Sequence, residues 1–357
     1  MVNVKQLDTG RNNNFDLLRF IAATLVMFSH SYLVTGNFRR EPLARLTDNF
    51  LDLGNLGVRI FFAISGYLIT KSMFRQSSLS SFVWARFLRI FPGLLATSLF
   101  CAFVIGPICT TLPAQEYFAS GKPYNFVWLL TTLRVFNNYL PGVFLSNPFP
   151  NLVNSPIWTL QAELMMYILV LIIGVLLLAW KRQFKKIFIS VPVLLAVFIL
   201  CKGFIPLPQW YEGHFYSWAI LFLLGMCSYL LRSKILLNIP LFVIMVLALG
   251  ALFHFQSLFK EYFLDVTLVY GILIFVYHPQ LQVNSFHKLG DFSYGLYIYA
   301  FPIQQMLILK LPELKPLLHF TLSFPLALTL AIFSWYFIES PALKLKRLKL
   351  KFPGYKL

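Results

Sequence analysis

Long apolar stretches alternate with short polar breaks from Phe15 almost to the end of the chain. A helix needs about 20 apolar residues to cross the hydrocarbon of a bilayer. Ten segments reach that length: 15–36, 50–70, 83–106, 157–180, 184–204, 213–231, 236–255, 262–279, 289–310 and 317–340. The pattern predicts an all-α fold: a polytopic membrane helical bundle of about ten transmembrane helices, in a single domain over 1–357.

One connection breaks the rhythm. From Pro107 to Pro156 the sequence is too polar and too proline-rich to span. A connection this long is either a functional element or a mobile one. On the topology below it is extracytoplasmic. Its Tyr117, Tyr124, Trp128 and Tyr139 suit an interfacial lid or an ordinary aromatic belt. The stretch 342–357 reads as a basic cytoplasmic tail.

Composition agrees with the pattern. Of 357 residues, 58% are apolar and 12% charged, and the mean hydropathy is +0.71. Soluble domains carry about 25% charged residues. A soluble enzyme, a disulfide scaffold and a disordered chain are excluded. The net charge of +17 would suggest nucleic acid in a soluble protein. Here the basic residues sit in short loops, where the positive-inside rule accounts for them without a nucleic-acid partner. With the N-terminus in the cytoplasm, 19 lysines and arginines fall on that side and 9 on the other. Both termini are therefore expected in the cytoplasm. The first span is too long, and too interrupted by Asp16, Arg19 and His30, for a cleaved signal peptide. Cys101, Cys109, Cys201 and Cys227 have no metal-binding or redox spacing and read as small apolar residues. No metal site is expected, and no internal repeat is visible.

Ionisable residues inside a span are costly, so each needs a reason. Arg19 and His30 lie 11 positions apart on the first span. That places them within about 20° of one face and about 16–17 Å apart along the axis. Such a stripe suits one elongated ligand, although Arg19 alone could snorkel and His30 alone could serve a helix–helix contact. Glu163 enters the fourth span to a depth similar to that of His30. It could face the imidazole and fix its tautomer, as a general base requires. It could instead pair with Arg59. Arg86 and Arg89, three apart at the cytoplasmic end of the third span, present two guanidinium forks on one face. They suit phosphate groups, or simply the lipid interface. Ser293, Tyr294, Tyr297, Tyr299, Gln304 and Gln305 make the ninth span polar, so it either lines a hydrated cavity or supplies helix–helix hydrogen bonds. No P-loop, HExxH or GxSxG motif is present.

Six strings occur in order along nearly the whole chain: Phe15-Asp16-Leu17-Leu18-Arg19 through His30, Gly57–Ile69 with Phe61-Phe62 and Ser65-Gly66-Tyr67-Leu68, Arg86-x-x-Arg89-Ile90-x-Pro92, Trp158-Thr159-Leu160 with Glu163, Ser293-Tyr294-x-x-Tyr297, and Glu339-Ser340-Pro341. Together they resemble the membrane acyltransferase-3 family, which includes bacterial O-antigen, exopolysaccharide and Nod-factor O-acetyltransferases.

The resemblance implies a bacterial inner-membrane enzyme. It would have no permanently bound cofactor, a cytoplasmic acyl-CoA donor (usually acetyl-CoA), and a glycan or lipid-linked saccharide acceptor on the far side. His30 matches the family's catalytic histidine and Arg19 its arginine, with Arg86 and Arg89 near the coenzyme. Glu163 is expected to orient His30. Arg59, Ser65, Ser293, Tyr294 and Tyr297 are expected to line the cavity or meet the acceptor. Some members carry a late histidine where this chain has Ala300, so that residue's role does not transfer. Others carry a C-terminal hydrolase-like domain. This sequence does not contain one, so that step would be absent or supplied by a partner. The rival reading is a secondary transporter or exporter of a glycan or other solute, which intramembrane charge would suit equally. An acyltransferase acting on a small molecule or lipid headgroup is a second rival.

Overall fold

The computed structural model describes residues 3–8, 10, 13–75, 78–134, 139–179, 209–255, 259–283 and 286–347. Long helices occupy nine of the ten predicted segments: α1 (Phe15–Val34), α2 (Leu53–Arg75), α3 (Leu79–Phe100), α4 (Trp158–Ala179), α5 (Gln209–Leu230), α6 (Ile239–His254), α7 (Lys260–Tyr277), α8 (Ser293–Lys310) and α9 (Pro316–Ser334). The predicted segment 184–204, with Cys201, lies outside the described residues. Among the described residues, five helical stretches are long and apolar enough to cross a membrane: Phe15–Val34, Leu53–Arg75, Leu79–Cys109, Ser155–Val175 and Pro316–Lys344. Shorter apolar helices accompany them at His214–Leu230 and Ile239–His254. The protein is an all-helical membrane protein.

Helix α2 is the hub. It packs most extensively against α5 and next against α1, while α8 joins α1 to α9. Two glycines set the α2–α5 approach. A Cβ on Gly66 would lie 2.0 Å from the Phe222 carbonyl oxygen, and one on Gly225 would lie 2.2 Å from that of Ala63. Small residues at a crossing allow backbones this close, so dispersion can hold helices together where lipid offers no hydrophobic gain. Mid-helix charges are also bound in pairs. Arg59 on α2 is 5% exposed, and it donates to Asp265, to Glu261 at 3.1 Å and to Asn55 at 2.9 Å. The expected alternative partner for Arg59, Glu163, is replaced by two acids on α7.

The proline-rich connection is folded. It holds helices Ala114–Ala119 and Lys122–Thr131, and its asparagines fasten it to α8. Asn154 donates to the Ile298 carbonyl at 2.8 Å, and Asn147 donates to both oxygens of Gln305 at 2.9 Å. Tyr117 is buried, with its hydroxyl on the Ala102 carbonyl. Tyr124, Trp128 and Tyr139 are exposed, as an interfacial aromatic belt requires. Helices α3 and α9 both end in a π turn, Cys101–Ile105 and Trp335–Glu339. Such turns change a helix's phase and often mark functional positions.

Candidate functional site

A cavity of about 410 Å³ opens among α1, α2, α3, α4 and α8. Eight of the ten predicted site residues line it: Arg19, Ser65, Arg86, Arg89, Glu163, Ser293, Tyr294 and Tyr297. They come from five helices spread over most of the sequence, so their convergence is a property of the fold. Its volume falls within the range of small-molecule and cofactor sites.

One end is cationic. The i,i+3 spacing does put Arg86 and Arg89 on the cavity side of α3. Arg89 donates to Asp291 Oδ2 at 2.6 Å, and Arg19 donates to the same oxygen at 3.1 Å. Arg19 also reaches Asp16 at 3.4 Å. Ser293 donates to the other Asp291 oxygen. Asp291 therefore clamps two arginines from different helices. Arg86 is held differently. Its guanidinium lies 5.8 Å from the Phe82 ring centre and 5.9 Å from that of Tyr167, and its buried Nε has no hydrogen-bond partner among the described residues. A buried polar atom without a partner is costly and is commonly completed by a ligand or water. Lys346, beyond α9, adds a fourth cation at this end. Reduced hydration and the neighbouring Arg86, Arg89 and Arg19 bring its ammonium down to about 8.

Further in, the lining turns to hydroxyls and one acid. Glu163 Oε1 accepts from Ser65 Oγ at 3.2 Å and from the Tyr167 hydroxyl. Thr159 Oγ1 and the Tyr297 hydroxyl lie 2.6 Å apart, and each lies 3.0 Å from the Pro156 carbonyl, so one hydroxyl donates to the other and the second donates to that carbonyl. Tyr294 donates to the Ile90 carbonyl at 2.7 Å. Span nine thus does both things expected of it. Ser293, Tyr294 and Tyr297 line the cavity, while Gln304 and Gln305 are structural. Gln304 donates to the Met27 carbonyl and Ser31, and Gln305 to the Phe149 and Leu152 carbonyls.

Two expected residues stand apart. Arg59 is locked to Asp265 and Glu261 and does not line the cavity. His30 is not in the lining either. It lies half-buried with its ring edge-on to Phe301 at 5.4 Å, and its buried Nδ1 has no partner among the described residues. Glu163 does not meet it. An acid does approach this end of α1: Asp52 accepts from Ser29, the residue before His30, at 3.1 Å. Phe301, on which His30 packs, lies one turn further along α8 than Tyr297, which lines the cavity. Phe61 packs edge-on against Tyr297 there, at 5.7 Å. Sequence reasoning missed Asp291, Tyr167 and Lys346 as site residues. Asp291 sits two positions before the Ser293 string, so its place was its signal. No described residue between Pro107 and Pro156 lines the cavity. No cluster of potential metal ligands occurs among the described residues.

The chain is 29% identical over 308 residues to the O-acetyl transferase of Shigella phage Sf6, covering 84% of this chain and 86% of that protein. It is 37% identical over 185 residues to nodulation protein 10 of Rhizobium leguminosarum bv. viciae, covering 49% of this chain and 46% of that protein. No solved structure matches the chain. Residues 12–336 match an acyltransferase domain. With that match over most of its length, and with the motif residues of five helices drawn into one cation-ended cavity, the chain belongs to the acyltransferase-3 family and is an acyltransferase.

Proposed function

We propose that the protein moves an acetyl group from cytoplasmic acetyl-CoA to a hydroxyl of an extracytoplasmic glycan, free or lipid-linked, at a bacterial inner membrane. One observation carries this reading: the cavity is cationic at one end and lined with hydroxyls at the other. Coenzyme A is a polyanion on a long thin arm. Arginine forks match phosphate geometry and charge. The excess of basic residues in the loops supports a cytoplasmic cationic end, with both termini on that side. The relative from Shigella phage Sf6 is an O-acetyl transferase, which supports acetyl as the group and a hydroxyl as acceptor.

In this reading Arg19, Arg86 and Arg89 hold the phosphates, and the thioester points toward Ser65, Glu163 and Tyr297. His30 acts at the outer end of α1. As general base it takes the proton of the acceptor hydroxyl while that oxygen attacks the acetyl carbonyl. The C–S bond breaks, the ester C–O bond forms, and the thiolate leaves and is protonated. As nucleophile the imidazole first takes the acetyl from sulfur, then yields it to the hydroxyl. Both routes need the donor to pass Tyr297 and Phe301. Asp52, hydrogen-bonded to Ser29 beside His30, is the carboxylate assigned the charge-balancing role that sequence reasoning gave to Glu163. Glu163 instead positions Ser65 and Tyr167 in the cavity wall.

The test is chemical analysis of surface glycan from a deletion strain carrying either wild type or His30→Ala. Wild type should restore ester-linked acetate. His30→Ala should restore none while reaching the membrane at the same level. Full acetylation by His30→Ala would overturn the role of His30. Unchanged glycan in the deletion strain would overturn the acceptor class.

A further inference from the structure

The tail beyond α9 returns to the cavity mouth. The π turn at Trp335–Glu339 shifts the helix phase, and Pro341 opens a short helix, Ser340–Lys344. A 3₁₀ turn over Leu345–Arg347 then lies against α3. The seat is specific. Trp84 Nε1 donates to the Leu345 carbonyl at 3.3 Å. Trp84 stacks on Phe87 at 5.5 Å, and Phe87 stacks on Phe91 at 4.7 Å. This ladder holds the tail where Leu343 and Lys346 line the cavity.

The charge balance there is uneven. Arg19 and Arg89 share Asp291, and Arg19 adds Asp16. Neither Arg86 nor Lys346 has an ion pair among the described residues. Lys346 therefore sits at an exposed rim facing like charges, an arrangement that favours a bound polyanion. A thioester directed inward leaves the diphosphate at the arginines and the ribose 3′-phosphate outermost, at the rim.

We propose that Lys346 binds the 3′-phosphate of the acyl donor. The enzyme then selects acyl-CoA over thioesters lacking that group, including phosphopantetheine on a carrier protein. The inference rests on the acyl-CoA reading above and specifies its donor end. A phosphomonoester carries about −1.5 to −2 charge at neutral pH, whereas a carrier-bound phosphopantetheine offers one phosphodiester charge.

The experiment is calorimetric binding of CoA, dephospho-CoA and 4′-phosphopantetheine to the purified full chain in nanodiscs. Wild type should prefer CoA to dephospho-CoA by about tenfold, the usual worth of one charge-assisted hydrogen bond. Lys346→Gln should erase that preference by weakening CoA alone. Lys346→Arg should keep it. Trp84→Phe, which removes the N–H holding the tail and part of the ring stacked on Phe87, should reduce the preference in part. Equal weakening of all three ligands by Lys346→Gln, or no weakening, would overturn the assignment while leaving the donor reading intact. No binding of CoA by wild type would overturn both.

Discussion

Arg86 and Arg89 are one helical turn apart, yet the structure gives them opposite costs. Arg89 neutralises Asp291, whose side chain is 11% exposed. Removing one partner of a buried ion pair leaves an uncompensated charge and costs about 3–5 kcal/mol. Arg19 still holds Asp291 when Arg89 is lost, so Arg89→Gln should cost about 3 kcal/mol, the low end of that range. Among the described residues Arg86 has no ion pair to abandon, and its Nε is already without a hydrogen-bond partner. Replacing it relieves desolvation and gives up only its contacts with the Phe82 and Tyr167 rings, each about 0.5–1 kcal/mol. Arg86→Gln should therefore leave the fold within about 1 kcal/mol of wild type. For donor binding, both variants lose charge-assisted bonds to phosphate of about 1.5–3 kcal/mol, or about 10- to 150-fold in Kd. The assay is paired thermal unfolding and CoA binding in nanodiscs. Arg86→Gln should bind weakly and melt normally, whereas Arg89→Gln should bind weakly and melt early. Equal melting losses, or unimpaired CoA binding by Arg86→Gln, would refute the reasoning.

Further outcomes follow from other parts of the structure. Gly66→Leu should not accumulate as a folded protein, because its Cβ alone would lie 2.0 Å from a backbone oxygen of α5; detergent-solubilised yield checks this. Asp265→Asn should destabilise by about 3 kcal/mol, since it removes the closest carboxylate of buried Arg59 while Glu261 still pairs with it; the double variant with Arg59→Met should recover part of that stability in thermal unfolding. Donor affinity should also depend on pH. The Lys346 ammonium titrates near 8, facing Arg19 and Asp16 on α1, Arg86 and Arg89 on α3, and Asp291 before α8. Bound phosphate favours its charged form. Affinity should thus be full below pH 8 and decline as pH rises through it, up to about tenfold. Lys346→Gln should show no such decline over that interval.

Much of the site was legible because its residues obey local rules. Arg86 and Arg89 share a face by i,i+3 spacing, and Ser293 and Tyr297 by i,i+4. All four reach the cavity. Arg19 was visible as a charge in an apolar run. Long-range pairing was not legible. Glu163 and His30 enter their spans to similar depths, but depth says nothing of the direction in which a side chain points. Glu163 turns to Ser65 on α2, and His30 packs on Phe301 of α8. Arg59 finds its partner 206 positions away, at a distance that no spacing rule covers. Lys346 looked like one topogenic charge among several in the tail. Only the π turn and the Trp84 seat bring it to the cavity.

The most direct measurement of the central claim uses purified protein in sealed proteoliposomes, with the cation-ended mouth outward and acceptor glycan inside. Labelled acetyl-CoA is added outside, and free thiol and labelled glycan are counted together. The account predicts one free thiol outside for each acetyl ester inside, and neither with His30→Ala. Label that stays outside while thiol is released, or glycan that crosses the membrane without any thiol appearing, would contradict it.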